Sequence, residues 1–327
     1  MSSVKKVAAL GLTLTMVVGM LPTVAFAYSS KSGWVEKDGK WSYYENGRKI
    51  KSDIRYDSSD GKNYLLNEYG IRVTKKGWTT LKYHYTDYGD KLKESQKYYL
   101  AEGGEASING WKKIKGKYYY FDQSHALTNT VIPKYNSEDS GIIDYVYAVD
   151  KNGARITKKG WHHFKGTSYS TYDGTKMPYD EWVYVKKGGK LVQGVKKIGK
   201  KKYVFSKYGV MAHDDYVPTK DGKKYYLADK NGVLVTKKGW HKLKITYKSS
   251  NYGGTHSYDS TQWVYVKKDA TLLTGLKKIK GTYYYFTPAM QINTVYDKES
   301  KDGSYYTRYY FGKNGNCTKS EKIYYAT

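Results

Sequence analysis

The chain has 327 residues, one cysteine and a formal net charge of +27. A single cysteine, Cys317, excludes an internal disulfide and any zinc or iron–sulfur site built on several thiolates. Tyrosine has 40 copies against six phenylalanines and five prolines, and long aliphatic runs stop near residue 20. The composition therefore predicts thin layers of aromatic side chains in place of one thick Leu/Ile/Val interior, since each Tyr or Trp buries a large area at low entropic cost.

Lys5 and Lys6 open the chain, an apolar stretch runs from Val7 to about Met20, and Pro22, Ala25 and Ala27 follow. This layout predicts a helical secretory signal peptide over residues 1–27. The apolar run is short for a membrane anchor, and no further run of spanning length occurs. The leader carries only two of the lysines, so the remainder stays strongly basic and suits a polyanionic partner. Lysine supplies nearly all of that charge; the arginines are Arg48, Arg55, Arg72, Arg155 and Arg308. Arginine serves bidentate phosphate and base-edge contacts, so a lysine surface fits diffuse attraction to a phosphate-bearing polymer better than specific nucleic-acid reading. A purely solubilising charge coat is the alternative.

Residues 28–52 form the first predicted hairpin. Trp34 and Trp41-Ser-Tyr43 flank Asp38-Gly39, and Asn46-Gly47 closes the element. Asx-Gly pairs accept the positive φ of two-residue hairpin turns, and the alternation of aromatic and polar residues is that of a strand.

Three strings then recur in the same order. Thr-Lys-Lys-Gly-Trp stands at Thr74–Trp78, Thr157–Trp161 and Thr236–Trp240. Ile114–Phe121, Ile198–Phe205 and Ile279–Phe286 follow these, and Tyr64–Gly70, Tyr147–Gly153 and Tyr226–Gly232 precede them. They define repeat unit A (53–132), unit B (133–215) and unit C (216–294), each of three hairpin elements, with a partial terminal repeat at 295–327. One hairpin is barely stable in water, whereas stacked hairpins bury their aromatics between neighbours. The predicted fold is all-β, an extended β-solenoid of stacked hairpin repeats. In each unit the middle element holds a long variable segment, 79–97, 162–181 or 241–262, expected as a long loop or a projecting strand pair and as a candidate contact surface.

The string Gly33-Trp34…Asp38-Gly39-Lys-Trp41-Ser-Tyr43-Tyr44…Asn46-Gly47 resembles the choline-binding, or cell-wall-binding, repeat of Gram-positive bacteria. Similar repeats form the glucan-binding regions of extracellular glucosyltransferases and the C-terminal arrays of large glucosylating toxins. The resemblance implies a solenoid of hairpins attached noncovalently to wall polymers. It also implies cages in which two tryptophans of one hairpin and an aromatic of the next hold a quaternary ammonium by cation–π attraction. Trp34, Trp41 and Tyr43 match that pattern closely. Elsewhere the second tryptophan becomes Tyr118, Tyr283 or Lys202, and Val195 and Leu276 replace the leading one. Trp78, Trp111, Trp161 and Trp240 are expected as a buried spine whose exposed edges, with Trp182 and Trp263, offer ledges for sugar rings.

Catalytic constellations are not found. His162 and His163 are adjacent, so on a strand their rings diverge. Asp180-Glu181 and Asp214-Asp215 are expected to be solvated and bridged to lysines. No Gly-rich loop matches a phosphate cradle before a helix. The expectation is a secreted, noncatalytic, wall-associated protein that needs no cofactor or metal. Its partner is an anionic wall polymer such as teichoic acid, or choline or a glycan, with no specific nucleic acid and no transmembrane segment after the leader. The alternatives are an adhesin for host or matrix glycans and, behind it, a hydrolase with its site in the middle-element segments.

Overall fold

At Asp38 and Gly39 the backbone takes φ of 52° and 70°, and Gly33–Lys37 folds back on Lys40–Glu45 in strict register, Trp34 opposite Tyr43. This two-residue turn, positive at both positions, is the type whose twist matches paired strands. The computed structural model describes residues 32–85, 91–93, 95–106, 109–137, 142–169, 176–251 and 254–325. The leader expected over 1–27 lies outside them.

Among the described residues every regular element is a strand apart from the 3-10 turn Glu102–Gly104. Ten hairpins follow the first. The second pairs Asp53–Asp57 with Lys62–Leu66, the third Gly77–Leu81 with Gln96–Leu100, and the fourth Gly110–Ile114 with Lys117–Asp122. The fifth pairs Thr130–Tyr135 with Ile143–Val149, the sixth Gly160–Tyr169 with Lys176–Val185, and the seventh Gly194–Ile198 with Lys201–Phe205. The eighth pairs Asp215–Pro218 with Tyr225–Ala228, the ninth Gly239–Asn251 with Gly254–Val266, and the tenth Gly275–Ile279 with Thr282–Phe286. The eleventh, Thr294–Glu299 with Tyr305–Phe311, gains a third strand, Cys317–Tyr324.

The third, sixth and ninth hairpins contain the variable segments. In the sixth and ninth these are strand pairs in continuous register, from Gly160↔Val185 out to Tyr169↔Lys176 and from Gly239↔Val266 out to Asn251↔Gly254. In the third, His84–Tyr85 pairs with Lys91–Leu92 beyond the base. Among the described residues the sixth and ninth segments are thus long strand pairs, and the third adds one short pair.

Two consecutive backbone N–H groups in the stretch after a hairpin join it to its predecessor. Arg72 donates to the Trp41 carbonyl of the first hairpin, and Val73 to Leu65 of the second. The same pairing recurs at Arg155/Ile156, Leu191/Val192, Met211/Ala212, Leu234/Val235, Leu272/Leu273 and Met290/Gln291, all at 2.7–3.0 Å. Successive N–H groups of an extended segment point to opposite sides, so two residues can bind two hairpins. A tight turn delivers each clip. In it the Asn67, Asp150 or Asp229 Oδ1 accepts from the N–H groups two and four residues on, and Ser206 Oγ does the same. This is local side-chain capping of a turn.

Burial corrects the expectation of an aromatic interior. The fully buried side chains are mainly aliphatic, among them Leu65, Leu66, Leu100, Val146, Val183, Leu191, Leu227, Val264 and Leu272, joined by Phe121, Phe205 and Phe286. They form clusters shared by neighbouring hairpins, such as Val146, Val185 and Leu191 between the fifth and sixth, and Leu227, Val266 and Leu272 between the eighth and ninth. The space between two ribbons is narrow and dry. It suits β-branched and leucine side chains, whereas a tyrosine hydroxyl needs a partner or water. Most tyrosines accordingly lie half-exposed along the flanks; Tyr98 is a buried exception, donating to Gln96 Oε1 at 2.6 Å.

Close backbone approach gives a paired test at Gly103 and Gly104. Both have positive φ, 75° and 87°. A Cβ on Gly103 meets nothing, whereas one on Gly104 would strike the Val73 carbonyl oxygen and lie 2.7 Å from Thr74 Cα. Gly103→Ala should cost about 1 kcal/mol of stability in urea denaturation, and Gly104→Ala about 3 kcal/mol.

Candidate functional site

Strand alternation places the tryptophan that follows the opening glycine on one flank of its hairpin. There it meets the tyrosine across from it and a tyrosine on the second strand of the next hairpin. Trp34 sits edge-on 5.2 Å from Tyr43 and 5.9 Å from Tyr64. Trp78 does the same with Tyr99 and Tyr119, Trp111 with Tyr120 and Tyr147, Trp161 with Tyr184 and Tyr203, and Trp240 with Tyr265 and Tyr284. Edge-to-face pairs at these separations contribute about 0.5–1.5 kcal/mol beyond area burial.

A further wall comes from the residue bonded to the next clip. At the five joints that have a leading tryptophan this residue is Trp41, Lys97, Tyr118, Trp182 or Trp263, and the clip residue opposite is Arg72, Ala126, Arg155, Met211 or Met290. Where the sixth hairpin meets the seventh, Trp161 and Trp182 stand 6.3 Å apart at 80°, and both pack with Tyr203 against buried Met211 and Phe205. Where the ninth meets the tenth, Trp240 meets Tyr284 at 5.1 Å and Phe286 at 5.7 Å. Trp263 and Met290 there line a cavity of about 490 Å³ that reaches Asn314. Such an arrangement presents π-faces in a partly dry recess. It suits an organic cation, or the C–H face of a sugar.

The residues singled out in the sequence fall into these positions. Trp34, Trp78, Trp111, Trp161 and Trp240 are the leading rings, and Trp41, Tyr118, Trp182 and Trp263 are the second walls. Tyr43 is the cross-strand neighbour of Trp34, and the wall from the next hairpin is Tyr64. Four leading rings were expected as a buried spine; none is buried, and Trp78 and Trp240 remain 37% and 36% exposed. Outward-facing flank positions explain the difference, because the inner face is filled by aliphatic residues. Sequence reasoning missed Tyr64, Tyr119, Tyr147, Tyr203 and Tyr284, and all the clip residues. A signal for the latter existed: Arg72, Arg155, Met211 and Leu234 each stand two residues after the turn glycine.

Lysines crowd beside the boxes. A groove of about 700 Å³ at the ninth and tenth hairpins is lined by Lys238, Trp240, Lys267, Lys268, Lys278 and Lys280. Burial, then the charges of Lys190 and Lys196, holds the Lys186 amine below its ordinary value.

His162 and His163 diverge: His162 Nε2 lies 2.9 Å from the Lys158 carbonyl, and His163 Nε2 2.6 Å from Asp180. His163 also stacks on Trp182 at 4.3 Å and 10°. The acidic pairs need a correction. Asp180 bridges His163 and Lys165, and Asp214 and Asp215 are exposed as expected, but burial raises the Glu181 carboxyl above its ordinary value. Neither Glu181 nor Asp215 forms an ion pair among the described residues. Among those residues no cluster of three or more metal-ligating side chains occurs, and no helix is long and apolar enough to cross a membrane.

Residues 109–124 and 274–288, the fourth and tenth hairpins, match the family model described as "Putative cell wall binding repeat". These two hairpins carry the repeat of the choline-binding, cell-wall-binding family. Glucosyltransferase-I of Streptococcus downei is 26% identical over 231 residues, which cover 70% of this chain and 12% of that protein. The chain thus spans about an eighth of that relative's length. Among solved structures, CbpJ of Streptococcus pneumoniae TIGR4 aligns over 88% of this chain and 94% of its own, at 19% identity and a TM-score of 0.32. Choline binding protein F of Streptococcus pneumoniae aligns over 88% and 93%, at 18% identity and a TM-score of 0.32. An alternansucrase in complex with isomaltononaose aligns over 87% and 18%, at 17% identity and a TM-score of 0.30.

Two outcomes follow from this geometry. Trp240→Ala removes contacts to both hairpins. It should cost about 2 kcal/mol, and hydrogen exchange should show lost protection at 275–286. The Asp180 carboxyl is held low first by its hydrogen bond to His163 and then by Lys165. A lowered carboxylate pKa stabilises above the ordinary value of about 4 and is lost as pH falls through the lowered value. The His163 stack on Trp182 should therefore loosen in acid, read from the Trp182 indole signal by NMR, and Asp180→Asn should abolish that step.

Proposed function

We propose that this is a secreted, noncatalytic wall-binding protein whose units at 53–132, 133–215 and 216–294 stack into an extended β-solenoid behind a leader at 1–27. It attaches noncovalently to an anionic wall polymer bearing quaternary ammonium groups or sugars. The observation that carries this reading is the box built from Trp161, Trp182 and Tyr203 on Met211, together with the Trp240–Tyr284 pair and the adjoining recess lined by Trp263 and Met290. The two places lie one repeat unit apart and have lysine clusters as neighbours. The rings hold a cation or sugar face, and the lysines attract the phosphates that join such polymers. Several weak sites on one array reinforce one another through effective concentration.

The full chain should sediment with purified Gram-positive walls and lose most of that binding when teichoic acid is stripped. Free choline at millimolar concentration should release it if the boxes carry the attachment. Release by about 0.5 M salt alone, with no effect of choline, would leave only the lysines as the binding surface. The double variant Trp182→Ala/Trp263→Ala should bind walls at least about tenfold more weakly while keeping its β-sheet circular dichroism.

A further inference from the structure

The five boxes do not have the same floor. Arg72, the clip residue between the first and second hairpins, places its guanidinium carbon 3.2 Å from the Tyr64 ring centroid and 5.9 Å from that of Trp34. Arg155, between the fourth and fifth, lies 4.6 Å from Tyr147, 4.9 Å from Tyr118 and 5.9 Å from Trp111. The Nε atoms of both arginines are buried and have no hydrogen-bond acceptor. Arg72 Nη2 donates to the Gly103 carbonyl at 3.4 Å, and neither arginine forms an ion pair among the described residues, so ring faces are the main partners of both charges. At the equivalent clip positions of the sixth and ninth hairpins stand Met211 and Met290. Among the described residues no arginine or lysine lies over the rings of Trp161, Trp182, Tyr203, Trp240, Trp263 or Tyr284, and His163 covers one face of Trp182 alone.

We infer that Arg72 and Arg155 are built-in ligands: each fills an aromatic box with the protein's own cation and closes it to an external quaternary ammonium. Together with Lys97, whose Nζ lies 5.4 Å from the Trp78 ring centroid at the third joint, these two residues then set how many boxes are open. A guanidinium occupies the place an ammonium would take, faces the same rings, and adds a like charge that repels any second cation. The closed boxes keep their rings because the arginine, tethered through its own clip, holds adjacent hairpins together at no cost in ligand. This inference rests on reading the open boxes as cation sites.

The eight tryptophans give eight indole signals in a nitrogen-15 spectrum of the full chain, with choline chloride as the probe and sodium chloride as the ionic control. In the unaltered protein the Trp182 and Trp263 signals should shift with choline, and those of Trp34 and Trp111 should not. Arg72→Met should make Trp34 respond and Arg155→Met should make Trp111 respond, each without altering the other box. Methionine is the residue already present at two equivalent positions; Arg72→Gln and Arg155→Gln serve as second variants if the methionine forms fold poorly. In the converse variant, Met211→Arg, choline binding at Trp182 should weaken at least about tenfold. A choline response of Trp34 or Trp111 in the unaltered protein would overturn the inference. So would their silence in every folded arginine variant. Silence of Trp182 and Trp263 would instead count against the proposed function, even where the arginine variants respond.

Discussion

Each extended clip peptide turns one N–H toward the hairpin before it and the next N–H toward its own. A two-stranded ribbon has a single hydrogen-bonded ladder and too little buried surface to persist alone. The clip gives it a backbone bond to its predecessor and carries a side chain into the seam between them. Leu191 shows both halves: its N–H bonds Val146 of the fifth hairpin while its side chain is wholly buried beside Val183 and Val185 of the sixth. Cohesion is therefore local and repeated, a sum of similar joints in place of one central core.

Because the seams are narrow, the two sides of each ribbon have different duties. Aliphatic side chains and a recurring phenylalanine fill the seam. Tryptophan and tyrosine, too large and too polar for it, line the flank, where they brace adjacent hairpins and keep part of their faces in solvent. The same rings are therefore both brace and potential binding surface, which is why exposure of Trp240 at 36% coexists with contacts to Tyr265, Tyr284 and Phe286.

Variation at one position changes what each joint can do. The clip residue is leucine at three joints, alanine beside Trp78, methionine beneath two tryptophan-rich recesses, and arginine where a guanidinium lies over the rings. The scaffold does not alter between these cases, since the clip's hydrogen bonds come from the backbone and are blind to the side chain. On the proposed reading, binding is thus assigned or withdrawn joint by joint at small structural consequence.

The order of hairpins was legible in the sequence because turns and strands are local. Asp38-Gly39 has only a few backbone solutions, and alternation of aromatic and polar residues is read within half a dozen positions. The repeated strings carried the modular order in the same way, and Trp34, Trp41, Trp182 and Trp263 stood out by residue type. What joins one hairpin to the next was not legible. The Arg72–Trp41 and Met211–Trp182 bonds link residues about thirty positions apart through main-chain groups that every sequence possesses. Which rings face one another, which flank stays wet, and whether a cation already sits between them depend on how ribbons stack. Only the tertiary structure, by setting Tyr64 beside Trp34 and Arg72 over both, decided that.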